Sequence, residues 1–249
     1  MSPRETAFLG AYYAVTGAMA LAALPLLLLP GTAPMRRMVG ANVRVVRWLL
    51  RVVGGVSVAV QGRETLPDGP YILAARHESW GDGYVWLSEA RTLAPLISAH
   101  ALKPDLVRHL VAKAGAVVIE NEGTKAARGR ALSGALADAE ASGRPILIFP
   151  EGRIAATGEM LPLKAGVFRL YEALGWPVVP AATNLGERWP LADGLVLKPG
   201  RATAQLLPPI EPGLDRAAFM ARLEEGVHGG TVALRAGGAL ALQDRPVTA

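Results

Sequence analysis

The chain has 249 residues, 51% of them hydrophobic and only 19% charged, with a net charge of +5, a pI near 9.8 and a mean hydropathy of +0.28. Soluble domains usually carry about 25% charged residues, so this composition points to contact with lipid. The positive balance and the apolar bias together select an anionic membrane leaflet over nucleic acid as a partner. With no cysteine in the chain, disulfides, thiolate metal centres and cysteine nucleophiles are excluded.

Residues 7–29, AFLGAYYAVTGAMALAALPLLLL, hold 23 positions without a charge. A helix of that length spans roughly 34 Å, enough for a bilayer core. Pro25 and Pro30 are expected to bend or end it. The rival readings are a cleaved signal peptide and a buried soluble helix. Against the first, the leading MSPRE offsets its arginine with a glutamate, and no small-x-small cleavage site follows. Next, Arg37, Arg44, Arg47 and Arg51 fall at spacings of seven, three and four along one helical stripe, with Val45, Val46, Trp48, Leu49 and Val52 around the rest. Such a basic amphipathic helix suits an anionic interface, and arginines flanking an apolar segment mark the cytoplasmic side. The expectation is an anchor over residues 1–55, followed by one domain over 56–249 on the cytoplasmic face of the inner membrane.

Beyond Gly54-Gly55 short β-like runs alternate with helical ones. Strands are expected at residues 56–60, 71–75, 94–98, 116–119, 146–149, 178–182 and 202–207. Helices are expected at 83–90, 105–114, 125–141, 165–174 and 216–226. Several strands are almost wholly apolar, as in a sheet covered on both faces. The fold class is therefore α/β, a mixed and largely parallel sheet flanked by helices, preceded by an apolar membrane-associated helix or helix pair.

The chemistry concentrates where two apolar strands end. YILAA delivers His77, and Asp82 follows five positions later after Gly81, so the two meet only if the chain turns between them. A carboxylate on one imidazole nitrogen fixes the tautomer and leaves the other free to take a proton. Spacing alone equally admits a structural histidine beside a capping aspartate. The second strand, RPILIF, ends in Pro150-Glu151-Gly152-Arg153. Glycine there lets backbone approach a ligand, and an arginine can hold a phosphate by paired hydrogen bonds. The structural alternatives are a capping role for Glu151 and an ion pair of Arg153 with Glu151 or Glu159. Lys164 follows in MLPLKAG. His228, between glycine-rich turns, is expected to be incidental, and Trp189 to be a packing residue.

These segments together resemble the glycerolipid acyltransferase family. Its histidine-x4-aspartate signature is similar to His77–Asp82, its Phe-Pro-Glu-Gly signature to Phe149–Gly152, and its proline-centred strand to Val178-Val179-Pro180-Ala181. Lys103-Pro104-Asp105-Leu106 is similar to the opening of the second signature, and the likeness runs from about residue 56 to 233. It implies transfer of an acyl group from acyl-CoA or acyl carrier protein to the sn-2 hydroxyl of 1-acyl-sn-glycerol-3-phosphate, making phosphatidate in phospholipid biosynthesis. His77 and Asp82 are then catalytic, and Glu151, Gly152, Arg153, Lys103, Lys164 and Asn121 bind substrate. No cofactor or metal is implied. Two departures stand out: Asn121 occupies a position where the family carries arginine, and Arg153 follows Gly152 where it carries threonine. They keep two alternatives open, an acyltransferase for another lysolipid such as a lyso-aminolipid, and a non-catalytic lipid-binding membrane protein.

Overall fold

The apolar runs assemble into one seven-stranded sheet. The computed structural model describes residues 2–89, 92–99, 102, 105–119, 133–134, 136–137, 140–190 and 196–238. Its strands are β1 (Val56–Gln61), β2 (Ile72–Ala75), β3 (Ala94–Ser98), β4 (Val117–Ile119), β5 (Ile146–Ile148), β6 (Val178–Thr183) and β7 (Gly200–Leu206). Each lies within about two residues of its sequence expectation. The spatial order is β1-β7-β6-β2-β5-β3-β4. From β6 to β4 every pairing is parallel; β7 runs antiparallel to β6 and parallel to β1, so the sheet is mixed at that edge.

Among the described residues the helices traced from end to end are α1 (Pro3–Ala23), α2 (Ala33–Val52), α3 (Asp82–Glu89), α4 (Asp105–Lys113), α5 (Gly166–Leu174), α6 (Arg216–Glu224) and α7 (Gly230–Arg235). A π-helical turn at Glu225–Gly229 joins α6 to α7. The expected helix at residues 125–141 lies mostly outside the described residues. Alternation along β2 explains the two cores. Tyr71, Leu73 and Ala75 face α1, α2 and α3, meeting Phe8, Leu9, Leu49, Leu50, Val85 and Trp86. Ile72 and Ala74 face the other way, onto Leu170 and Tyr171 of α5 and Phe219 and Leu223 of α6. With both faces covered, β2 is buried at every residue, which its unbroken apolar sequence requires.

The N-terminus forms a helix pair. α1 opens with a capping box, in which the Ser2 hydroxyl accepts from the Glu5 amide and the Glu5 carboxylate accepts from the Ser2 amide. Glu5 also accepts from the Leu197 amide at 3.2 Å, and Phe8 meets Trp189 edge-on with ring centroids 5.2 Å apart. The start of the apolar helix is thereby part of the core. Instead of running to residue 29, α1 ends at Ala23 and tightens into a 3₁₀ turn, Leu24–Leu28, with Pro25 in its first turn where a missing N–H costs nothing. The segment Pro3–Leu28 is long and apolar enough to cross a membrane, and little of it is buried. Tyr13, Leu21 and Leu28 all project outward, the last 89% exposed.

On α2 the arginine stripe divides. Arg37, Arg44 and Arg51 are exposed, alongside exposed Trp48 and Val52. Arg47 instead turns inward, donating to Ser88, to Glu89 at 3.0 Å and to the Val58 carbonyl at 3.3 Å. The expected stripe of four is corrected to three, because residue 47 faces α3 and β1. An exposed apolar helix beside a basic, tryptophan-bearing one is the surface of a membrane-associated protein.

Candidate active site

The parallel strands β2, β5 and β6 end on the same side of the sheet, the side on which open α/β sheets gather their chemistry. His77 stands just beyond β2. The Arg76 amide still bonds the Ala181 carbonyl at 2.9 Å, extending the β2–β6 ladder one residue further. The chain then turns. Gly81 comes so close to Leu185 and Trp189 that a Cβ there would lie 2.7 Å and 2.9 Å from their side chains. This turn swings Asp82, the first residue of α3, back beneath the histidine.

His77 Nδ1 lies 3.2 Å from Asp82 Oδ2, and the same oxygen accepts the Glu78 and Ser79 amides, each at 2.8 Å. Those amides hold Asp82 as an acceptor, so the imidazole offers it the Nδ1 proton and keeps Nε2 free. The Asp82 side chain is buried, whereas that of His77 is 19% exposed. The imidazole also stacks on Phe149, with ring centroids 3.9 Å apart and 17° between the planes. Ser79 is no nucleophile candidate: it is fully buried and its hydroxyl accepts the Gly81 amide.

The second signature residues lie beside the first. Phe149 follows β5, and the turn after it closes with the Gly152 amide on the Phe149 carbonyl at 3.0 Å. Gly152 has φ +71°, a conformation that suits glycine. The Lys164 side chain crosses directly over it and leaves no room for a Cβ on Gly152. Lys164 is exposed. Arg153 points outward, 58% exposed, and forms a two-pronged ion pair with Glu159 at 2.6 Å and 3.3 Å. That contact holds the Glu159 carboxyl below the ordinary carboxylate range.

Glu151 is placed differently from a headgroup ligand. Its side chain is fully buried, with Oε1 on Arg76 and His228 and Oε2 accepting the His77 amide at 2.9 Å. It braces the His77 segment from below and does not face solvent. Lys103 and Asn121 lie outside the described residues. Sequence reasoning passed over Arg76, Glu78 and Arg235, and it took His228 for an incidental residue. Arg76 is fully buried, bonded to Glu151, to Glu78 and to the Glu159 carbonyl. His228, in the π-helical turn, sets Nε2 3.3 Å from Glu151 Oε1. The available signal was the charged triplet Arg76-His77-Glu78 directly abutting an all-apolar strand. Charges placed so deep must find partners.

The arrangement can remove a proton from a hydroxyl at His77 Nε2 and, in Lys164 and Arg153, offers cations to an anionic group nearby. A family model described as Acyltransferase matches residues 57–184, which contain the His77–Asp82 turn and the Phe149–Gly152 turn. The 1-acyl-sn-glycerol-3-phosphate acyltransferase of Pseudomonas aeruginosa is 29% identical over 165 residues, covering 66% of this chain and 64% of that protein. The chain thus matches a little under two thirds of that relative's length. The crystal structure of the 1-acyl-sn-glycerophosphate (LPA) acyltransferase PlsC from Thermotoga maritima superposes with a TM-score of 0.73, at 21% identity, over 94% of this chain and 95% of that one. This likeness shows the fold. Because the family model covers more than half of its residues, the chain belongs to the Acyltransferase family.

Proposed function

We propose that the protein transfers a fatty acyl group from an acyl thioester to the sn-2 hydroxyl of 1-acyl-sn-glycerol-3-phosphate, forming phosphatidate at the cytoplasmic face of the inner membrane. The observation that carries this reading is the buried Asp82 carboxylate against Nδ1 of a part-exposed His77. Nε2 takes the hydroxyl proton as the oxygen attacks the thioester carbonyl. The C–S bond then breaks, and the imidazolium returns its proton to the departing thiolate. Asp82 stabilises the imidazolium while it exists. No acyl-enzyme and no cofactor take part.

Lys164, beside Gly152, supplies the cation for the acceptor phosphate, with Arg153 as its neighbour and Lys103 and Asn121 as further candidates. Glu151 contributes by holding the His77 amide rather than by touching the headgroup. Trp80, a large apolar side chain exposed to solvent in the turn between His77 and Asp82, gives acyl chains a surface near the dyad. The apolar α1 and the arginines Arg37, Arg44 and Arg51 of α2 bring the site to the lysolipid, which resides in the bilayer. The net positive charge favours either phosphate-bearing donor, acyl-CoA or acyl carrier protein.

The engagement of Arg153 by Glu159 supports a second reading, in which the acceptor is a lysolipid without a phosphomonoester. The test is an acceptor panel with one acyl-CoA, followed by thiol release. Lysophosphatidate should be the best acceptor by at least about tenfold in kcat/KM, the worth of one lost charge-assisted contact. Preference for a lyso-aminolipid would transfer the assignment to the second reading.

A further inference from the structure

The C-terminal helix lies outside the residues matched by the family model, yet it reaches the base of the catalytic turn. We infer that Arg235 of α7, acting through Glu78, is a positioning residue for the His77–Asp82 pair, which makes the C-terminal helix part of the working site. This rests on the acyl-transfer reading above.

The geometry starts at Glu78, the residue between His77 and Ser79. Its backbone amide carries Asp82 Oδ2 at 2.8 Å, while its fully buried side chain points away to a separate set of partners. Oε2 receives Arg76 Nε and Nη2, each at 3.3 Å, and also Arg235 Nη2. Oε1 receives the Gly186 amide at 3.3 Å. Gly186 leaves no room to shift, since a Cβ there would lie 2.8 Å from the Glu78 carboxyl carbon. Fixing this side chain fixes the orientation of the amide on its other side, and with it the acceptor for His77.

A second arm reaches the histidine itself. Arg76 is shared between Glu78 and Glu151, and Glu151 Oε2 takes the His77 amide. Arg235 therefore does more than neutralise Glu78. If it is lost, Arg76 is drawn toward the orphaned Glu78 and away from the carboxylate that braces His77. The groups facing Glu78 are Arg76, Asp82 and Arg235; beyond Arg235 lies Glu187 at 4.0 Å, and beyond Arg76 lie Glu151 and His228. Burial pushes the Glu78 carboxyl up to about 7 against the pull of Arg235 and Arg76. Without Arg235, ionising Glu78 becomes costlier, so the damage grows as the pH rises.

The test uses the full chain in lipid or detergent with lysophosphatidate and acyl-CoA, comparing wild type, Arg235→Gln and Glu78→Gln/Arg235→Gln. Arg235→Gln should lower kcat by about tenfold to a hundredfold, the scale of a slightly misplaced reacting group, with KM for both substrates within about threefold. Its deficit should be larger at about pH 8.5 than at about pH 6, and the double variant, having no orphaned carboxylate, should regain most of the loss and shed the pH dependence. In parallel, the Glu78 and Ser79 amides should exchange their hydrogens at least about tenfold faster in Arg235→Gln and return toward wild type in the double variant, while the Ala94 amide, bonded to the Pro145 carbonyl, stays unchanged. Should Arg235→Gln not fold, Arg235→Lys, which keeps the cation, is read by the same two measurements and should fall between wild type and inactive. Wild-type turnover and exchange in the Arg235 variants, or a double variant no better than the single, would overturn the inference. A wild-type chain that transfers no acyl group would refute the proposed function instead, and amide exchange would still decide whether Arg235 holds the turn.

Discussion

Asp82→Asn removes a charge and keeps the shape. In the wild-type protein Asp82 Oδ2 accepts two backbone amides at 2.8 Å and faces His77 Nδ1 at 3.2 Å. An asparagine carbonyl can still take both amides, so the turn survives. What disappears is the charge that orients the imidazole and balances it once protonated. A hydrogen bond to a charged group contributes about 1.5–3 kcal/mol against about 0.5–1.5 for a neutral one, so the stability loss is roughly 1–3 kcal/mol. For a chain of this size that lowers Tm by roughly 2–12 °C. Catalysis should suffer far more, with kcat down by about 10²–10⁴ because the tautomer is no longer fixed. KM should stay within about threefold, since a residue buried this deeply touches no substrate. Thiol release at saturating lysophosphatidate and acyl-CoA, beside a thermal melt, measures both quantities. A folded Asp82→Asn protein with kcat within about threefold of wild type would refute the role given to the carboxylate.

Other consequences are equally specific. Arg76→Met leaves the buried Glu78 and Glu151 short of a cation, and loss of one partner from a buried pair costs about 3–5 kcal/mol, or roughly 6–20 °C in Tm; an unchanged melt would show that the network contributes nothing. Burial, reinforced by Arg76, holds the His228 imidazole below its ordinary value, so the folded protein takes up that proton later than the unfolded chain does. Its contribution is whole above about pH 6.5 and is lost on acidification, so His228→Gln should flatten the fall in Tm between about pH 6.5 and pH 5. Parallel wild-type and variant curves would contradict this. Tyr13→Glu, Leu21→Glu and Leu28→Glu together should leave the fold intact and move the protein from the membrane pellet to the supernatant. Deleting α1 would be a poorer probe, since it also removes Phe8 from the core.

Much of the fold was legible because its signals are local. Almost wholly apolar runs of strand length, each opening just after a proline, marked β2, β5 and β6, and the His77–Asp82 spacing joined to Phe149–Gly152 marked the site. The turn that brings His77 and Asp82 together depends on the close approach of Gly81 to Leu185 and Trp189, a contact across about a hundred residues that no local pattern encodes. The same holds for the buried charges. Arg235 meets Glu78, and His228 meets Glu151, only because α7 and the π-helical turn fold back beneath the sheet's end. Arg153 shows the converse. Its sequence context offered both a phosphate ligand and an ion pair with Glu151 or Glu159, and the structure shows Glu159, six residues on, holding it. The arginine stripe on α2 lost Arg47 for a related reason, since spacing gives a helical face but not its neighbour.

The most direct measurement is thiol release from acyl-CoA with lysophosphatidate, comparing wild type with His77→Ala at matched protein and lipid. The expected result is phosphatidate formed by the wild type and a rate lower by about 10²–10⁴ in a variant that still folds and still sediments with membranes. Undiminished release from His77→Ala would contradict the assignment of the imidazole as the base.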